Sequence, residues 1–216
     1  MDPSELINEG YQLYIESNSE GALKKYNEAL NIALDLAFNS QGVLPEALYH
    51  RGLAYQQLGK EDEAKKDFSI SLRILKDIVQ GNPGDFNSKN YLGSVYLKLE
   101  QLEIAKKTFT EVITNVSKDS LEYANASKGI GSYYYECGNY EESLDSYYEA
   151  LKVYSSYVDI RSGNTSKINF EYANTLKSIA NCYYWLTNYN EALKYYNDYF
   201  DDAGADNEDN IISELG

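Results

Sequence analysis

Small residues recur along this chain at Gly10, Gly52, Gly93, Gly131 and Ala180, separated by 42, 41, 38 and 49 residues. Other features keep register with them. Three residues after each anchor stand Leu13, Tyr55, Tyr96, Tyr134 and Tyr183, and twelve after stand Ala22, Ala64, Ala105, Ser143 and Ala192. Sixteen after stand Tyr26, Phe68, Phe109, Tyr147 and Tyr196; nineteen after stand Ala29, Ser71, Val112, Ala150 and Tyr199. Self-similarity of this kind constrains the fold more than any local signal, because it makes the chain an array of one supersecondary unit.

The residue types read as a helical hairpin. A small anchor on a first helix and a small residue on a second let two backbones approach closely, and aromatic residues fill the space around the contact. Turn residues separate the two helices at Ser17-Asn18-Ser19, Gly59-Lys60, Gly138-Asn139 and Thr187-Asn188, with a weaker turn at Glu100-Gln101. Apolar residues in the second helices fall three and four apart, the spacing of an amphipathic helix.

Segments such as Ala47 to Phe68 (ALYHRGLAYQQLGKEDEAKKDF) and Gly131 to Leu151 (GSYYYECGNYEESLDSYYEAL) resemble the tetratricopeptide repeat family along most of their length. The resemblance runs from about residue 4 to 201. It implies an all-α, right-handed α-solenoid of five helix-turn-helix repeats, over about 4–40, 44–81, 85–117, 119–160 and 167–201, in a single domain spanning 1–201. Residues 202–216 read as an acidic tail in which Ile211-Ile212-Ser213-Glu214-Leu215 could form a short cap. The spacing exceeds the family's usual 34 residues and is similar to the longer variants, of about 42 residues, in kinesin light chains and Rap-type regulators. The early aromatic or Leu of the pattern is Lys89 in the third repeat and Ser127 in the fourth. The longest connection lies around Arg161-Ser162-Gly163-Asn164.

Repeat hairpins share one apolar spine and need polar caps at their ends. The last hairpin carries Tyr195, Tyr196, Tyr199 and Phe200 before the tail, which reads as an aromatic end open to a partner, to further chain, or to a second copy. The 23 tyrosines suit thin helical layers, where a ring packs and its hydroxyl stays wet.

A net charge of −15 excludes a general nucleic-acid binder, since phosphate binding needs surplus Lys and Arg. Six acidic residues lie from Asp201 onward, namely Asp201, Asp202, Asp206, Glu208, Asp209 and Glu214. This charge either solvates the surface or favours a basic partner. No apolar run is long enough to span a bilayer, and the first residues lack the layout of a secretory signal. With two cysteines, Cys137 and Cys182, and no disulfide framework, the expected setting is cytoplasmic.

Tetratricopeptide solenoids typically bind peptides along the groove lined by their first helices. Positions six and three before each anchor, and one and four after it, share one helical stripe. In the first two repeats that stripe includes Ile7, Tyr11, Tyr14, Tyr49 and Leu53; in the last three it includes Asn87, Asn90, Ser94, Asn125, Lys128, Ser132, Asn174, Lys177 and Asn181, with Tyr135, Tyr184 and Trp185 adding aromatic surface. An asparagine amide donates and accepts at once, which suits a peptide backbone, and a lysine can hold a carboxylate. The alternative is that these residues merely solvate an exposed face. Lys177 and Asn181 match the Lys-then-Asn opening of the family's carboxylate clamp, but no following repeat supplies its remaining residues, and Ile7 and Tyr11 occupy those places in the first repeat. The reading is therefore a generic peptide groove.

No catalytic arrangement is legible. His50 has no nucleophile and acid beside it in the pattern and reads as a surface or hydrogen-bonded histidine. Gly129-Ile130-Gly131 lacks the context of a phosphate loop, and Cys182 reads as an inert core thiol. The expectation is a protein-interaction scaffold, not an enzyme, without cofactor or metal and without membrane partners. A regulatory or substrate-recruiting part of a larger enzyme, and a homo-oligomer built through the last hairpin, stand as alternatives.

Overall fold

A computed structural model describes residues 2–35, 42–158 and 167–203. The connection around Arg161–Asn164 and the tail from 204 onward, with its expected cap, lie outside them. Ten α-helices, and no strand, occur among the described residues. The chain divides into two compact units, Met1–Val116 and Ser117–Gly216.

The first unit holds α1 (Pro3–Ile15), α2 (Ser19–Asp35), α3 (Val43–Gln57), α4 (Glu61–Gly81), α5 (Phe86–Lys98) and α6 (Leu102–Asn115). Each odd helix packs on the next even one, and α1 touches α3 while α3 touches α5. The second unit holds α7 (Leu121–Glu136), α8 (Tyr140–Tyr157), α9 (Lys167–Trp185) and α10 (Tyr189–Ala203), paired in the same way, with α7 against α9 and α8 against α9.

Caps start several of these helices. The Asp2 side chain accepts the Ser4 amide at 3.0 Å, Asp85 accepts that of Ser88 at 2.9 Å, and Ser120 accepts that of Tyr123 at 3.2 Å. Pro3 sits in the first turn of α1, where its missing amide hydrogen costs nothing. Acidic first turns, Glu61-Asp62-Glu63 in α4 and Glu141-Glu142 in α8, face the positive helix ends.

All five hairpin turns are built alike. Seven residues after each anchor the backbone enters the left-handed region, at Ser17, Gly59, Glu100, Gly138 and Thr187. The amide of the following residue then donates to the carbonyl of the residue three after the anchor, at 2.8–2.9 Å, from Asn18 to Leu13 through Asn188 to Tyr183. This closes the first helix in a Schellman motif. That same following residue accepts the first hydrogen bond of the second helix, as Lys60 does from Ala64 at 3.1 Å. One left-handed residue thus reverses the chain, and Glu100-Gln101 turns as firmly as the others.

The anchors are small because the aromatic sixteen residues on occupies their flank. A Cβ on Gly10 would lie 2.4 Å from the Tyr26 ring, on Gly52 2.5 Å from Phe68, on Gly93 2.6 Å from Phe109, and on Gly131 2.6 Å from Tyr147. Ala22, Ala64, Ala105, Ser143 and Ala192 are buried, as are all five of the aromatics sixteen residues after the anchors. Lys89, at a position normally aromatic or Leu, is buried too. Its ammonium lies 5.4 Å over the Phe86 ring and pairs with Glu111, so its stem fills the space while the charge is satisfied.

Candidate functional site

The stripe of the first helices differs between the two units. In the first, Ile7 and Tyr11 are core: Tyr11 is 2% exposed, and its hydroxyl donates to Glu46 Oε1 across to α3 at 2.5 Å. Burial raises the Tyr11 phenol well above its ordinary range, and the neighbouring carboxylate adds to the effect. Tyr49 is half-buried, edge-on to His50 at 5.0 Å and to Tyr91 at 5.8 Å. His50 itself is 2% exposed and therefore not a surface histidine; the Tyr91 hydroxyl lies 3.5 Å from its Nε2. Asn90 is buried, Ser94 half-buried and Asn87 exposed. Ile7 and Tyr11 are thus consumed where one first helix packs on the next, while Tyr14, Tyr49 and Leu53 stay half-buried.

The second unit keeps the stripe polar and partly open. Asn125, Lys128, Ser132, Asn174, Lys177 and Asn181 are all half-buried. Tyrosines of the second helices hold two of the amides: Tyr154 donates to Asn125 Oδ1 and Tyr196 to Asn181 Oδ1, each at 2.5 Å. Both oxygens are turned inward, so each NH2 group keeps two donors directed away from those bonds. Burial pushes the Tyr154 phenol well above its ordinary range, so it remains a donor at any physiological pH. Ser132 shares a hydrogen with the Tyr147 hydroxyl at 3.1 Å.

The lysines are already engaged. Lys128 on α7 pairs with Glu171 on α9, and the Lys177 ammonium lies 5.6 Å over the Tyr199 ring. Asn174 lends its backbone carbonyl to Ser178 at 2.8 Å.

The last hairpin is less open than its sequence suggests. Tyr196, Tyr199 and Phe200 are buried, and Tyr199 and Phe200 pack ring to ring at 5.0 Å. Exposed aromatic surface is instead found at the turn end of this unit, on Trp185 and Tyr189. Tyr135 and Tyr184, half-buried, belong to that edge, with Trp185 Nε1 donating to the Tyr135 hydroxyl at 2.8 Å. Sequence reading placed Tyr135, Tyr184 and Trp185 beside the groove but did not single out Tyr140 and Tyr189. Their signal was present: both stand nine residues after an anchor, where the other repeats have Ser19, Glu61 and Leu102.

Among the described residues no group of three or more His, Cys, Asp or Glu could hold a metal ion, and no helix is long and apolar enough to cross a membrane. Cys182 is buried, and burial pushes its thiol up to about 11 although a hydrogen bond to Ser143 opposes this. Gly129 and Gly131 lie within α7, not in a strand-to-helix turn.

The tetratricopeptide repeat profiles match residues 45–73 and 89–115, and a second profile of that family matches 129–156. The chain is a tetratricopeptide-repeat protein. Its fold is similar to that of a thermophilic tetratricopeptide protein of Thermus thermophilus, at 20% identity and a TM-score of 0.55, over 94% of this chain and 93% of that one. It is also similar to NprR, solved in complex with its cognate peptide NprX, at 18% identity and a TM-score of 0.58. That match covers 97% of this chain and 57% of NprR. No curated relative matches the sequence significantly.

Proposed function

We propose that this tetratricopeptide-repeat protein is an interaction module that binds a peptide or extended partner segment on the first-helix face of its second unit. The observation that carries the reading is the pair of amides, Asn125 and Asn181, each pinned by a buried tyrosine hydroxyl with its NH2 donors unspent among the described residues. Pre-oriented amides bind a peptide carbonyl without the entropy cost of ordering a free side chain. Asn174 and Ser132 extend the polar row, and Lys177, held over Tyr199, supplies positive charge at one end of it. NprR, which shares the fold, was solved in complex with its cognate peptide NprX, and this likeness supports a peptide as the kind of partner.

Lys128 acts here as a positioning group, tying α7 to α9 through Glu171. The first unit contributes structure in this reading; of its expected groove residues Asn87 is exposed and Ser94 half-buried.

The test is selection from a displayed random peptide library on the full chain, repeated with an Asn125→Ala, Asn174→Ala, Asn181→Ala variant. A peptide family enriched on the native chain and lost on the variant, with its helical circular dichroism retained, supports the reading. Equal enrichment on both proteins, or none on either, overturns it.

A further inference from the structure

The second unit ends in a tiled aromatic edge made by the last residues of α7 and α9 and the first of α8 and α10. Trp185 is 55% exposed and Tyr189 59%. The Trp185 indole is not loose. Its Nε1 donates to the Tyr135 hydroxyl at 2.8 Å, and its ring stacks with Tyr140 at 6.0 Å and 7° between planes. Tyr184 meets Trp185 edge-on at 5.9 Å, and Tyr189 meets Tyr184 at 5.7 Å. Five rings from two hairpins therefore form one continuous surface whose centre is held in place. Trp185 and Tyr189 are its exposed rings, and contiguous exposed apolar surface of this kind marks interaction sites.

Its charge names the occupant. Between residues 129 and 151 the chain has five acidic residues and no Lys or Arg, and between 178 and 193 it has Glu191 and again no Lys or Arg. Glu136, whose charge acts on the Tyr135 hydroxyl, and Glu141 and Glu142, which follow Tyr140 in the first turn of α8, are exposed, and no ion pair engages them among the described residues. Aromatic faces are negative and attract cations, and carboxylates on the same helix ends add a Coulombic attraction of their own. A guanidinium suits the edge better than an ammonium, because it is flat enough to lie on an indole and forked enough to reach a carboxylate at once. A second copy of the chain fits poorly, since 34 acidic residues face only 19 basic ones.

We propose that this edge docks an arginine-bearing basic segment of a partner protein, with Trp185 and Tyr140 receiving the guanidinium and Glu136, Glu141 and Glu142 its charge. The site is separate from the asparagine row of the groove and does not depend on it.

Trp185 is the single tryptophan, so its emission reports the edge directly. The full chain is titrated with a blocked octapeptide alternating Arg and Ser, with the same peptide carrying citrulline for Arg, and with the Lys version. Fluorescence and calorimetry are read together. The expected result is a saturable change in Trp185 emission with the Arg peptide, weaker binding of the Lys peptide, none of the citrulline peptide, and loss of affinity as salt screens the carboxylates. Trp185→Leu and Tyr140→Leu should each weaken calorimetric binding by about tenfold with helical circular dichroism unchanged. Glu136→Gln with Glu141→Gln and Glu142→Gln should weaken it while leaving the rings intact. The asparagine variants should leave it unaltered, so failure of the groove and failure of the edge are read apart. Undiminished binding by both ring variants would mean that the acidic surface elsewhere holds the peptide, and would overturn the proposal. So would the absence of saturation, or a dimer in light scattering whose Trp185 is shielded from acrylamide.

Discussion

Glu100 occupies in its hairpin the backbone position that Gly59 occupies in the preceding one: each lies seven residues after its anchor, with φ of +59° and +68° respectively. Glycine adopts that conformation without a Cβ clash, whereas an L side chain is strained by about 1 kcal/mol. Gly59 and Gly138 have open space around them, so conformation alone selects glycine there. Ser17, Glu100 and Thr187 bear the strain instead. Glu100→Gly and Thr187→Gly should each stabilise the chain by about 1 kcal/mol, with the β-branched Thr187 gaining more. Gly138→Ala should destabilise it by a similar amount. Midpoints of urea unfolding at a matched slope check all three.

The Tyr26 hydroxyl is buried and meets no hydrogen-bond partner among the described residues. The equivalent rings of the next two hairpins are Phe68 and Phe109, and that of Gly131 is Tyr147, whose hydroxyl bonds Ser132. A buried hydroxyl without a partner costs about 1–3 kcal/mol relative to one that is paired or absent. Tyr26→Phe should therefore raise stability by about 1 kcal/mol, whereas Tyr147→Phe should lower it slightly. Thermal unfolding of the two variants gives opposite signs if this is correct.

The parts of the fold that were legible in the sequence are those that a hairpin decides for itself. Gly52 and Phe68 lie in one hairpin, and so do Ala64 and the turn at Gly59, so their offsets repeat whatever the neighbours do. The groove was harder. Tyr11 and Lys128 sit on the stripe expected to face a ligand, yet each is claimed by the next first helix, through Glu46 and Glu171. Periodicity places a residue on the inner face of a helix, but it does not say how much of that face the adjacent helix covers. The aromatic edge is hidden from periodicity for a related reason: Tyr140 and Tyr189 begin second helices, and only the turn brings Tyr140 beside Tyr135 and Trp185, and Tyr189 beside Tyr184.

Cys137 is exposed and Cys182 buried, and burial holds the Cys182 thiol up at about 11. Because the thiolate is the reacting species, the native protein at pH 8 should release one equivalent of thionitrobenzoate rapidly from a disulfide reagent. The second should appear only in denaturant. Two fast equivalents would show that the packing of α9 against α8 around Ser143 opens readily.

Arg51 joins α3 to α4 through a forked pair with Asp67, two bonds of 2.7 Å, while its third contact reaches Asn27 at 2.7 Å. The Asp67 side chain is almost wholly buried, and Arg51 about four-fifths so. Removing the arginine leaves a carboxylate in a place that water does not reach, so Arg51→Ala should cost about 3 kcal/mol. A lysine cannot reproduce the fork, and Arg51→Lys should recover only part of the loss. Replacing both members, Arg51→Met with Asp67→Leu, removes the stranded charge as well as the bond. The double variant should therefore be more stable than Arg51→Ala alone, a coupling that a double-mutant cycle in urea measures directly. If the single changes Arg51→Met and Asp67→Leu simply added, the pair would carry no coupling and the joint between α3 and α4 would rest on Phe68 and its glycine.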